Sequence, residues 1–124
     1  MKHYHARHRT FALTDKIYGQ DITVIIGEEE LFERWCKRNN IIYDQSRNYA
    51  ETGEVEIPTH NIYYIHLPSF CNIPMNMAVA AHEILHVALR VMHNIGFEFS
   101  YDNTEPLNYY FEMLYKDFLE KVYR

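Results

Sequence analysis

Between Pro74 and Gly96 the chain is apolar at most positions, from Met75, Met77 and Val79 through Ile84, Leu85 and Val87 to Val91 and Met92. The polar residues of this segment fall together. At about 100° per residue, with His82 at zero, His93 lies near 20°, His86 near 40°, Arg90 near 80° and Glu83 near 100°. The pattern predicts a largely buried helix carrying one narrow polar stripe. Its start is expected at Asn72 or Pro74, because asparagine caps well and proline fits a first turn, and its end at Gly96.

Other elements follow from the same kind of pattern. Asp21 to Gly27 (DITVIIG) is rich in β-branched residues and closes on glycine, which predicts a strand. A helix should come next: Glu28, Glu29 and Glu30 load its first turn, Lys37 and Arg38 its last, and Leu31, Phe32, Trp35 and Cys36 form an apolar face before Asn39-Asn40 ends it. Glu54 to Ile57 and Ile62 to Leu67 read as paired strands joined through Pro58-Thr59-His60-Asn61. After Asp102-Asn103, Thr104 is the expected cap of a last helix that turns Leu107, Tyr110, Phe111, Leu114, Tyr115, Phe118, Leu119 and Val122 inward. The expected fold class is α+β: a small mixed or antiparallel sheet of three to four strands, packed on the long helix, a C-terminal helix and one N-terminal helix.

Composition narrows this to a single unit. With 124 residues, 48% of them hydrophobic, the chain 1–124 reads as one domain with one core and no internal repeat or linker. Twelve basic against seventeen acidic residues leave a net charge of -5, without a basic stripe, so nucleic acid is not an expected partner. Lys2, Arg7 and Arg9 are followed by no apolar run of signal length, and no stretch approaches the ~20 apolar residues of a membrane span. A cytoplasmic protein without membrane contact is expected. Cys36 and Cys71 have no CxxC spacing and read as reduced core residues, not zinc ligands.

The chemistry lies in His82-Glu83-Ile84-Leu85-His86, an HExxH pentapeptide. Histidines four apart on one helix face can both reach a tetrahedral zinc ion, Zn2+, at about 2.0 to 2.1 Å, and Glu83 beside them is placed to take a proton from water. A catalytic zinc usually has three protein ligands, so a third is expected from outside the motif. The metzincin pattern HExxHxxGxxH fails, because Leu89 and Met92 stand where glycine and histidine are required and His93 is one residue late. Eighteen residues beyond the motif stands Glu105, within Asn103-Thr104-Glu105-Pro106-Leu107-Asn108-Tyr109-Tyr110.

Here the chain resembles the gluzincin metallopeptidases, in the compact minigluzincin arrangement, over roughly residues 62–122. It is also similar to short HExxH proteins encoded by bacteriophages. The resemblance implies that the last helix returns antiparallel to the motif helix and offers Glu105 as third zinc ligand, with Glu98 or Asp102 as substitutes. It implies a peptidase, with Glu83 as base and a peptide or protein as substrate. It also implies that an extended substrate lies along the strand before the motif helix, Ile62 to Leu67. Thr104 between Asn103 and Glu105, and Pro106 after it, depart from the family's segment.

Arg90, His93, Tyr109 and Tyr110 are candidates for orienting the ligands or donating to an oxyanion, each with a plain packing role as the competing reading. His66 is a further candidate near the cleft. His3, His5 and His8 could bind a second metal, but so terminal a cluster reads as an unstructured end. A zinc-binding assembly protein without turnover is the alternative function; eleven tyrosines and seven phenylalanines would suit a partner surface. Such a protein could belong to a virion. A retained Glu83 argues for the hydrolase, since a structural zinc needs no base.

Overall fold

The computed structural model describes residues 5–6, 8–41, 50–56 and 60–124. It is α+β. Short strands β1 (His5–Ala6) and β6 (Phe70–Cys71) pair antiparallel in a two-stranded sheet. The main sheet has four strands in the order β2-β3-β5-β4, formed by β2 (Arg9–Leu13), β3 (Asp21–Ile26), β4 (Glu51–Glu56) and β5 (Asn61–Leu67). β3 and β5 run parallel, while β2 and β4 pair antiparallel at the two edges, which makes the sheet mixed.

Alternation along β3 and β5 builds two cores. Ile22, Val24, Ile26, Tyr63, Ile65 and Leu67 face one side and pack with helices α2 (Pro74–Asn94) and α3 (Glu105–Val122). Ile25 faces the other side and packs with Phe32, Trp35 and Cys36 of α1 (Glu29–Arg38), against Ile62 and Tyr64. Three layers result: α1, the sheet, and the α2-α3 pair. Strands covered on both faces explain why DITVII reads as a nearly continuous apolar run.

The helix boundaries carry two corrections. Neither Asn72 nor Thr104 caps by its side chain; Ile73 precedes α2 and Thr104 precedes α3 without a cap bond. Pro74 nevertheless occupies the first turn of α2, and Gly96 follows it with φ of 90°, a conformation that glycine adopts without steric cost. The connection expected at Pro58 to Asn61 lies partly outside the described residues, but the register Glu56↔Asn61 closes β4 onto β5 there. His5, read as part of an unstructured end, is a strand residue opposite Cys71. His3 lies outside the described residues. Among the described residues no helix is long and apolar enough to cross a membrane.

Candidate metal centre

Helix α2 buries one side only. Ala80, Glu83, Ile84, Val87, Ala88, Val91 and Met92 face inward. His82, His86, Arg90 and His93 are exposed, as are Met75 and Leu85. This corrects the expectation of a largely buried helix. Solvent reaches the imidazoles, so burial supplies no reason for them to need a metal.

Their geometry brings the two rings within hydrogen-bond distance of each other. The Nε2 atoms of His82 and His86 lie 2.9 Å apart, with the rings at 80° to one another. Two nitrogens at 2.0 to 2.1 Å from a tetrahedral zinc would stand about 3.3 Å apart, close to this spacing. The pair thus fits two positions on one ion. Among the described residues, however, no group of three His, Cys, Asp or Glu side chains assembles. Glu105, Glu98 and Asp102 are all exposed and do not join the pair. Spacing along the chain sets Glu105 in the first turn of α3, as expected, but does not bring its carboxylate into that group.

Glu83 is the buried charged member of the motif, 8% exposed. Burial pushes its carboxyl above the usual range, the neighbouring His82 and His86 pull it back, and Glu51 on β4 pushes it up further. Glu51 carries no signal in the sequence, because it stands 32 positions from Glu83 and no local pattern links the two.

Beside the pair runs a cleft of about 320 Å³ between α2 and β4. His86, Arg90 and His93 form one wall, Thr52 and Gly53 the other, and Tyr63 and Phe99 line it further. On the opposite side of β4, Gly53 leaves room for the end of the Tyr64 side chain: a Cβ would come within 2.3 Å of its hydroxyl oxygen and 2.4 Å of its ring, so the ring would have to shift. Arg90 is held in place, donating to Glu54 at 2.8 Å, and Asn94 donates to the other Glu54 oxygen at 2.6 Å and to the Tyr63 hydroxyl at 2.9 Å. The strand along the cleft is β4, an edge; β5 is interior, between β3 and β4. Ile62 to Leu67 is therefore not the free edge that the resemblance implied.

Two sequence candidates leave the site. Tyr110 is fully buried, its hydroxyl donating to Asp15 Oδ2 at 2.8 Å, and burial with that carboxylate raises its pKa well above the tyrosine range. It is a core residue, not an oxyanion donor. His66 points to the α1 side, its ring stacked on Phe32 at 4.2 Å and its Nε2 donating to the Gly27 carbonyl at 2.8 Å. Burial lowers its pKa against the opposing pull of the Gly27 carbonyl, Glu51 and Glu29. Tyr109, on the exposed side of α3, is not among the residues that line the cleft.

Compared with models of known protein families, with curated proteins and with solved structures, the chain matches none.

Proposed function

We propose that the protein is a zinc-dependent hydrolase acting on peptide bonds, with His82 and His86 as protein ligands and Glu83 as proton carrier. The observation that carries this reading is the convergence of the two Nε2 atoms, 2.9 Å apart, on an exposed helix face beside a buried carboxyl. Zinc bound there would lower the pKa of a water towards about 7 and polarise a carbonyl. Glu83, whose carboxyl is raised chiefly by burial, takes a proton and returns it to the leaving amine. Among the described residues β4 is an edge strand, the position to which an extended peptide could add beside the cleft, and Arg90, paired with Glu54, lines its path. We place this work in the cytoplasm, where two cysteines without a disulfide between them are the ordinary state.

The test is cleavage of a mixed peptide library by zinc-loaded wild type and Glu83→Gln. Loss of cleavage with zinc retained supports the hydrolase. Equal cleavage by the two proteins removes Glu83 from the chemistry. A second reading, a zinc-binding assembly protein without turnover, is favoured by one observation: Tyr110 and Arg90, two candidate oxyanion donors, are already engaged by Asp15 and Glu54. Zinc bound by the wild type without cleavage of any peptide would select it.

A further inference from the structure

Both cysteines are buried, Cys36 fully and Cys71 at 7% exposed, but their neighbours differ. Cys36 is fully buried in the α1 layer, where desolvation and the charges of Glu51 and Glu33 push its thiol up to about 11. That combination keeps a thiol protonated and inert. Cys71 lies on β6, directly across from His5 of β1, with its Sγ 3.7 Å from His5 Nε2. The thiol also donates to Asn72 Oδ1, at 3.9 Å.

Three further features of this corner bear on the sulfur. First, Cys71 lines a cavity of about 440 Å³ at the surface, together with His5, Ser69, Ile73 and Asn76, and no described carboxylate lines it. Second, the residue is fixed, because its backbone N–H donates to Asn76 Oδ1 at 3.0 Å. Third, the 21-residue helix α2 begins three positions later, with neither a side-chain cap bond nor an acidic residue in its first turn. Its N-terminal dipole is left to act on whatever negative charge forms nearby. An imidazole partner, a helix N-terminus and an open cavity are the surroundings in which thiolates form and react.

We propose that Cys71 and His5 form a thiol-exchange site that takes low-molecular-weight disulfides. The Cys71 thiol passes its proton to His5 Nε2, and the thiolate attacks one sulfur of the incoming disulfide. The new bond joins Sγ to that sulfur; the old S–S bond breaks, and the departing thiolate recovers the proton. Cys71 is thereby oxidised to a mixed disulfide, and the other half of the reagent is reduced to a thiol. The cavity accommodates the attached group, and the carboxylates that surround Cys36 are absent from its lining. The reaction is independent of the HExxH face.

Glutathione disulfide, applied to the reduced full-length chain at pH 7 and followed by peptide mapping in a mass spectrometer, tests this directly. One mixed disulfide is expected, on Cys71, with Cys36 unmodified. His5→Ala and His5→Gln should slow the reaction roughly tenfold, the order of the thiolate fraction that a paired imidazole supplies. Equal modification of Cys36 and Cys71, or a wild-type rate in both His5 variants, would overturn the proposal. A second arm stands even where His5 variants misfold. In Cys36→Ser the lone Cys71 should react faster in the folded chain than in urea, where it has neither His5 nor the helix; a slower folded rate would equally overturn it.

Discussion

Tyr110→Phe separates a structural hydroxyl from a catalytic one. In the native protein this hydroxyl donates to Asp15 Oδ2 at 2.8 Å, while the same carboxylate accepts the backbone N–H groups of Ile17 at 3.0 Å, Tyr18 at 2.9 Å and Gln20 at 3.1 Å. Asp15 thereby ties the turn between β2 and β3 to the second turn of α3, with Tyr18 packed edge-on to the Tyr110 ring at 4.8 Å. Phenylalanine keeps the ring and removes one hydrogen bond to a buried carboxylate. Such bonds are worth about 1.5–3 kcal/mol, and the loss falls at the upper end where the acceptor cannot reach water. For a chain of this size that lowers Tm by roughly 6–12 °C. Urea unfolding followed by the emission of Trp35, the single tryptophan, measures it. A double-mutant cycle with Asp15→Ala should show that most of the cost is shared between the two residues. Zinc content and cleavage per folded molecule should not change. A stability loss under about 0.5 kcal/mol, the range of a change at an ordinary surface position, or lost activity in a fully stable variant, would refute the placement of this hydroxyl in the core.

His66 makes stability depend on pH. Its folded pKa is lowered by burial, so the native state binds fewer protons than the unfolded chain, whose histidine titrates near about 6.5. Its contribution is present above that pH and is lost as pH falls through it; urea titrations at pH 7.5 and 5.5 should show a drop that shrinks in His66→Gln, and an identical drop in both proteins would contradict the assignment. Gly53→Ala should cost about 1–3 kcal/mol by driving a methyl into the Tyr64 ring, and Tyr64→Ser should recover part of it, as thermal unfolding of the two variants would show. Arg90→Ala should change stability by less than about 1 kcal/mol, because the side chain is 59% exposed in its pair with Glu54. A larger loss by urea titration would mean that Arg90 braces β4 against α2.

The elements that were legible in the sequence are those with strong local patterns. DITVIIG, the charge-graded helix after it and the long apolar helix all stand within a residue or two of their expected ends. β4 was only half legible: ETGEVE has a glycine, three glutamates and one large apolar residue, a composition that an edge strand tolerates because one side meets no partner. β1 and β6 are two residues each and leave no periodicity to read. At the site, HExxH shows which histidines share a face, and the structure brings their nitrogens together. Which way that face points depends on packing, and here it points to solvent. The bond between Tyr110 and Asp15 spans 95 residues, and helical spacing shows only that Tyr110 faces inward, not what its hydroxyl meets. The Glu105 spacing has the same limit: it sets a position along α3 and says nothing of the reach of its carboxylate.

Metal content per chain, by mass spectrometry on protein purified without added metal, tests the zinc reading most directly when wild type is set beside His86→Ala and Glu105→Gln. Near one zinc per wild-type chain is expected, lost in His86→Ala and kept in Glu105→Gln, since Glu105 stands outside the group. Loss in Glu105→Gln would restore the third ligand that the resemblance implied. No metal in the wild type, or equal metal in His86→Ala, would contradict the claim that this imidazole pair is a metal site.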